Sequence, residues 1–390
     1  MRITEYKLYD VPPRWQFVKL TTSDGRVGWG ETYTRCQHTN DSEPVTTNAV
    51  DQLFEQSLRG ADPSRIEALW QAMYRGSFHR GGPVQMSAIS GLDQALWDLK
   101  GKRYGAPIYD LLGGAARDRV RFCQRVRTHR ADADDDIEAS VEDALAQVER
   151  GFDALKINPA PVLDRVDTPE KVQFSADLVG AVREAIGPDI ELALDFHGRT
   201  TKAMARNLAH AVEPHDPMFI EEPVTPEHND ALARIARSTT VPIATGKRLY
   251  TRWDFKPILE ADAVDVVQPA LSSAGGITEG KKIADVAETY DASFAPHCLT
   301  GPIAFMASIH VGVAAPNTLV QEQSFFRKKH GQDYVQNDGV FDPVDGSIEA
   351  PDGPGLGLEI DEDVIEQWEG RNLEYTHEPV RRSDGSVGET

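Results

Sequence analysis

The chain has 390 residues, 40% of them hydrophobic, with 62 acids against 41 bases and a net charge of −21. That length buries a large core as two domains or one barrel with an appendage, and so acidic a balance argues against a nucleic-acid partner, whose phosphates it would repel. No apolar run is long enough to suggest a membrane span, "MRITEYKLYD" lacks the apolar stretch of a secretory signal, and Cys36, Cys123 and Cys298 are too few and scattered for a disulfide frame or zinc site, so a cytoplasmic location is expected.

Only 13 of the bases are Lys, against 28 Arg, and "RADADDDIEAS" adds a run of acids. An acid-rich, Lys-poor surface fits a salt-adapted, halophilic cytoplasm, where screening shortens to about 3 Å at 1 M salt. The alternative is an ordinary acidic enzyme.

Residues 1–118 read as α+β. "WQFVKLTTSDGRVGWGE" predicts two strands around a turn at Ser23-Asp24-Gly25, and Asp62-Pro63 predicts a helix start with Pro in its first turn. "SAISGLDQALWDLKGKRYG" places Ile89, Leu92, Leu96 and Leu99 on one helical face, as core residues.

From 119 to 347 short apolar runs alternate with helical segments. The runs are "RVRFCQRV", "FDALKIN", "IELALDFHG", "MFIEEP", "VPIATGK", "AVDVVQPA", "ASFAPHC" and "TLVQEQS". Eight such strands predict an α/β fold, a parallel (β/α) barrel of the TIM kind. The rival is a doubly wound open sheet, but no GxGxxG follows a first strand. The tail 348–390, with "DGPGLGLEIDEDVIEQWEGRN", is expected to pack back on the N-terminal α+β domain.

In a barrel, chemistry sits at the C-terminal strand ends. Read in order, those ends carry Lys156, Asp195 with His197, Glu221 with Glu222, Lys247, Gln268 to Ala270, His297 and Glu322. A single polar end is commonly a solvated loop residue; seven of eight make a convergent ring. Asp195 and Glu221, 26 residues apart, could hold a hard cation such as Mg²⁺ through oxygen. His197, two residues beyond Asp195, is expected on the same strand face, with His297 across the mouth. Two imidazoles suit acid–base work: one takes a carbon-bound proton, the other protonates a leaving hydroxyl. That describes elimination of water from a hydroxy acid.

The motifs "PPRWQFVKL", "ADPSRIEALWQAMYR", "RGGPVQMSAISGLDQALWDLKGK", "LDFHGR", "FIEEPV", "QPALSSAGGITE", "APHCLTGPIA", "VQEQS" and "PGLGLEID" run nearly end to end. With them the chain resembles the acid-sugar dehydratases of the enolase superfamily, mandelate racemase subgroup, of the galactonate dehydratase kind. The resemblance implies a capping domain over a modified barrel, Mg²⁺, a homo-oligomer, and conversion of an aldonate to a 2-keto-3-deoxy acid.

By position, it makes Asp195 and Glu221 metal ligands, His197 the general acid and His297 the base on the C2 proton. Glu322 becomes a protonated donor to the substrate carboxylate, which requires a raised pKa. Lys156 matches the first lysine of a Lys-x-Lys pair whose second position is Asn158; both are substrate-binding candidates. That departure favours dehydration over racemisation or epimerisation.

Two further departures concern chemistry. Lys247 stands where the family has its third acidic ligand, and Ala270 where it has the Asp that orients the base histidine; Ser272 or Ser273 is the candidate substitute. Lys247 leaves two readings: an ammonium between Asp195 and Glu221 without tight Mg²⁺, where an aldonate carboxylate could also bind, or a side chain swung away from a weaker metal. The function is thus a hydro-lyase on a sugar acid, or a catalytically silent sugar-acid-binding or regulatory homologue. Substrate choice falls to capping loops such as "ETYTRCQHTND", where Cys36 and His38 are either mouth or plain loop residues.

Overall fold

The computed structural model describes residues 1–33, 45–127, 137–323, 331–371, 380–382 and 384–389. Cys36, His38 and most of the acidic run lie outside the described residues.

Three antiparallel strands begin the chain: β1 (Ile3–Val11), β2 (Trp15–Thr22) and β3 (Val27–Thr32). The expected turn joins β2 to β3, with Gly25 at φ 80° and its N–H donating to the Thr22 carbonyl (2.9 Å). Helices α1 (Val45–Leu53), α2 (Ile66–Arg75) and α3 (Pro83–Tyr104) follow. Ile89, Leu92, Leu96 and Leu99 are fully buried on α3, which packs on β3. Asp62-Pro63 does not open α2. Asp62 Oδ1 accepts from the Ser64 N–H (3.0 Å) and hydroxyl (2.8 Å), and this local turn delays the helix to Ile66.

A short helix, α4 (Ile108–Leu111), leads into eight parallel strands: β4 (Arg119–Arg125), β5 (Ala154–Ile157), β6 (Glu191–Asp195), β7 (Ile220–Glu221), β8 (Ile243–Thr245), β9 (Val266–Val267), β10 (Ser293–Phe294) and β11 (Gln321–Gln323). They pair in chain order from β4 to β10, and β11 pairs with β4. A parallel bridge between Phe294 and Thr318, with the Leu319 N–H on the Phe294 carbonyl (2.8 Å), joins β10 to the β11 segment and closes the barrel. An open sheet is thereby excluded.

The crossovers carry α5 (Ile137–Glu149), α6 (Pro169–Ile186), α7 (Lys202–Val212), α8 (Leu232–Ala236), α9 (Arg252–Glu260), α10 (Gly276–Glu288) and α11 (Pro302–Ala314). After β11, among the described residues, no α-helix precedes β12 (Ser347–Glu349), which pairs antiparallel with β4. This is the barrel's modification. Helix α12 (Glu362–Trp368) then packs on β1, with Lys19 Nζ 2.5 Å from Glu362 Oε2. The Leu356 N–H donates to Asp98 Oδ1 on α3 (2.9 Å).

The N-terminal elements meet the barrel at the loops following β9 and β10. Trp70 Nε1 donates to the Gly275 carbonyl (2.8 Å), and Asp93 accepts from the Thr278 N–H (2.9 Å) at the start of α10. Glu31, wholly buried at the end of β3, accepts from the backbone N–H groups of Gly301 (2.5 Å) and Ala304 (3.0 Å) at the start of α11. A carboxylate at a helix N-terminus satisfies amides that have no partner within the helix.

Candidate active site

The barrel lumen holds a small apolar layer of Cys123, Ala154, Ala193, Phe219, Ala244, Val266, Ala295 and Val320, one residue from each strand or its flank. Side chains two residues on share the same face. Two beyond the layer come Arg125, Lys156, Asp195, Glu221, Gly246, Gln268, His297 and Glu322. The site is thus the polar storey above the apolar one. Strand β8 alone offers a glycine there. Gly246 has φ 137°, and a Cβ would meet the Phe255 ring at 2.5 Å and the Gln268 nitrogen at 2.9 Å. The turn it permits brings the next residue, Lys247, into the ring.

Lys247 Nζ lies 3.0 and 2.8 Å from the two oxygens of Asp195 and 2.5 Å from Glu221 Oε1. Its side chain is 7% exposed; both acids are fully buried. Of the two readings of Lys247, this structure has the side chain between Asp195 and Glu221, not swung away from them. Glu222 Oε2 stands 3.5 Å from the ammonium, but Arg248 holds that carboxylate at 3.0 and 2.9 Å. Lys156 Nζ, equally buried, lies 2.6 Å from Glu221 Oε2 and 2.7 Å from Glu322 Oε2. Gln268 Nε2 also donates to Glu221 Oε2 (3.0 Å).

Charge states follow from this arrangement. Burial alone would raise Glu221, but Lys156 and Lys247 hold its carboxyl well below the usual range. Burial and Glu221 push Asp195 up, and Lys247, His197 and Lys156 outweigh them to leave it lowered. Burial opposes the charge on both lysines, yet the acids raise Lys156 (Glu221 first, then Glu322) and Lys247 (Asp195 first, then Glu221) above the ordinary lysine value.

Glu322 corrects an expectation. Burial pushes it up, but His297 and Lys156 prevail and its carboxyl is lowered. It is an ionised acceptor, not a protonated donor. His297 Nδ1 is hydrogen-bonded to Glu322 Oε2. Because a carboxylate only accepts, Nδ1 carries the proton and Nε2 is left to act as base in the neutral ring. Glu322 thus takes the orienting place that Ala270 cannot fill. Ser273 does not: its hydroxyl points to the Ala270 carbonyl (3.4 Å).

His197 also differs from expectation. Strand β6 ends at Asp195, and His197 sits at φ 56°, outside strand geometry, so the alternation argument does not apply to it. Its N–H donates to Asp195 Oδ1 (2.8 Å), which keeps the half-buried residue beside the site. His297, flanking β10, lies across the barrel from β6. Asn158 is half-buried, and its Oδ1 and Gln268 Oε1 are buried acceptors with no hydrogen-bond partner, suited to a ligand's hydroxyl donors.

Sequence reading missed Arg125, whose guanidinium stands 3.7 Å from Glu322 Oε1, and the Arg248–Glu222 pair. Arg125 was accessible from its place two residues beyond Cys123. Gly198, at φ 67°, leaves room beside the Arg248 guanidinium, from which a Cβ would lie 2.1 Å.

The expected Mg²⁺ does not fit this donor set. A protonated lysine has no lone pair. A divalent ion 4 Å from it would meet repulsion of about 8 kcal/mol at an effective dielectric of 20. Glu221, His297 and Glu322 bring ligand atoms within 4.8 Å of one another, but the two carboxylates already share the Lys156 ammonium.

Comparison with known proteins agrees with the architecture. The family described as "Enolase C-terminal domain-like" matches residues 139–364, and the "Mandelate racemase / muconate lactonizing enzyme, N-terminal domain" matches residues 13–113. The chain is 43% identical to a D-galactonate dehydratase of Ralstonia pickettii (strain 12J) and 42% identical to one of Xanthomonas oryzae pv. oryzae (strain PXO99A), each over 100% of both chains. Among solved structures, a mandelate racemase/muconate lactonizing enzyme-like protein from Roseovarius sp. TM1035 superposes with TM-score 0.89 at 32% identity, covering 100% of both chains. One from Rubrobacter xylanophilus DSM 9941 gives 0.87 at 34%, over 94% of this chain and 97% of that one. A capped, modified barrel and full-length identity above 40% lead to one conclusion: the chain belongs to the mandelate racemase/muconate lactonizing enzyme family of the enolase superfamily.

Proposed function

We propose that the protein is a sugar-acid dehydratase that removes water from an aldonate to give a 2-keto-3-deoxy acid. The observation that carries this reading is the His297–Glu322 pair, set in the same ring as the Lys156 and Lys247 ammonium groups. Full-length relatives named as D-galactonate dehydratases support the substrate class.

In this reading His297 Nε2 takes the C2 proton. The electron pair enters an enediolate on the substrate carboxylate, and the buried ammonium groups lower the cost of that charge in a site of low dielectric. His197 protonates the departing 3-hydroxyl, so water leaves and the enol tautomerises to the 2-keto acid. Asn158 and Gln268 accept from substrate hydroxyls. Lys156, engaged by two carboxylates, is not a free base, which weighs against racemisation or epimerisation. The setting is a homo-oligomer in a salt-rich cytoplasm.

The test is a panel of aldonates (galactonate, gluconate, xylonate), assayed as 2-keto product with semicarbazide and as C2 deuterium exchange in D₂O. Turnover of one aldonate, lost in His297→Asn, is expected. A second reading, a sugar-acid binder without turnover, draws on the acids being already neutralised by lysines. Binding of an aldonate with neither product nor exchange would establish it instead.

A further inference from the structure

We propose that the Lys247 ammonium is the resident cation of this site, seated where the fold would otherwise hold a divalent metal, and that it bars Mg²⁺ from binding there. The proposal deepens the dehydratase reading and rests on it for the reaction, but not for the binding.

Three independent features converge on it. Lys247 Nζ touches three carboxylate oxygens of Asp195 and Glu221 at 2.5–3.0 Å, close contacts for an ammonium. The acids that could recruit a metal elsewhere are spent: Glu222 on Arg248, and Glu221 and Glu322 on Lys156. The backbone is shaped for the insertion, since Gly246 takes a φ of 137° against the Phe255 ring just before Lys247.

The exchange also conserves charge. Two carboxylates with an ammonium sum to one negative charge, as do three carboxylates around a divalent ion. The acids therefore keep a cation without recruiting one from solution, and Lys156 adds a second positive centre on the opposite oxygen of Glu221. An ammonium donates hydrogen bonds where a metal accepts lone pairs. A substrate carboxylate bound here is thus held by N–H donors.

The experiment is calorimetric titration of the full chain, stripped with EDTA and held in high KCl, with MgCl₂ and MnCl₂. No heat of binding and an unchanged thermal midpoint at millimolar ion are expected. Micromolar binding to the unmodified protein overturns the proposal. Lys247→Glu, shown folded by circular dichroism, is expected to gain at least about 100-fold in Mg²⁺ affinity. A folded variant that stays silent overturns the claim that the lysine bars the ion. The aldonate assay fails separately. Turnover abolished by EDTA and restored by Mg²⁺ overturns this proposal and leaves dehydration standing. Silent titration without turnover on any aldonate removes the reaction and leaves the resident cation.

Discussion

His297 and Glu322 are joined through Nδ1 and Oε2, and that same carboxylate oxygen takes Lys156 Nζ at 2.7 Å. One acid orients the imidazole and is itself fixed by a buried ammonium. Glu322→Gln removes the charge and sets an amide against Lys156. The expected loss in kcat is about 10²–10⁴-fold, with KM changed far less, by analogy with removal of a histidine-orienting carboxylate in serine proteases. Histidine ¹⁵N spectra should show His297 losing its single tautomer, which a merely structural change would not produce.

Replacing Lys247 with Met strands Asp195 and Glu221 as adjacent buried acids. Removing one partner of a buried ion pair costs about 3–5 kcal/mol, and a loss of that order is expected at neutral pH in urea denaturation. The sign with pH is fixed by the acids. Their folded pKa values lie below the unfolded ones, so the stability they contribute is present above the ordinary carboxylate range and fades as pH falls through the lowered values. The gap between wild type and Lys247→Met should narrow toward acid pH; a constant gap would show that the contact is not ionic.

Asp93 behaves in the opposite sense. Burial pushes it from 3.8 up to about 7, although Thr278 donates to it through its hydroxyl (2.5 Å) and N–H (2.9 Å). A raised folded pKa means stability present below the unfolded value and lost as pH rises through the folded one. Relative to Asp93→Asn, which does not titrate, the wild type should lose up to about 4 kcal/mol between about pH 4 and pH 7. Denaturation midpoints of the two proteins across that range are the measurement.

The net charge of −21 predicts a response to salt. Raising KCl from about 0.1 M to 1 M shortens the screening length from about 10 Å to about 3 Å and relieves self-repulsion. The thermal midpoint should rise by several degrees. A midpoint that is flat or falls would place the chain among ordinary acidic enzymes.

The barrel was legible because eight apolar runs alternate with helical segments, and the ring because each run ends in a polar residue. In "LALD" three apolar residues, buried on both faces, lead to the acid that ends the strand. The state of each ring member was not legible, because it depends on neighbours contributed by other strands. Glu322 is ionised since His297, flanking β10, and Lys156, from β5, reach it; its own segment, "VQEQS", carries no sign of that. His197 leaves the strand pattern because β6 ends at Asp195 and His197 itself is left-handed, one residue past Phe196. Loss of an acid at Ala270 was plain, but its replacement by Glu322 required the closed barrel, which brings β11 beside the β10 segment.

Glu31 ties the timing of folding to the order of synthesis. Its buried carboxylate accepts from the amides of Gly301 and Ala304, which come 270 and 273 residues later. As the chain leaves the ribosome, the end of β3 must wait for α11, with an ionised side chain that has no interior to enter. The amino-terminal hairpin cannot reach its final state until most of the barrel has been translated.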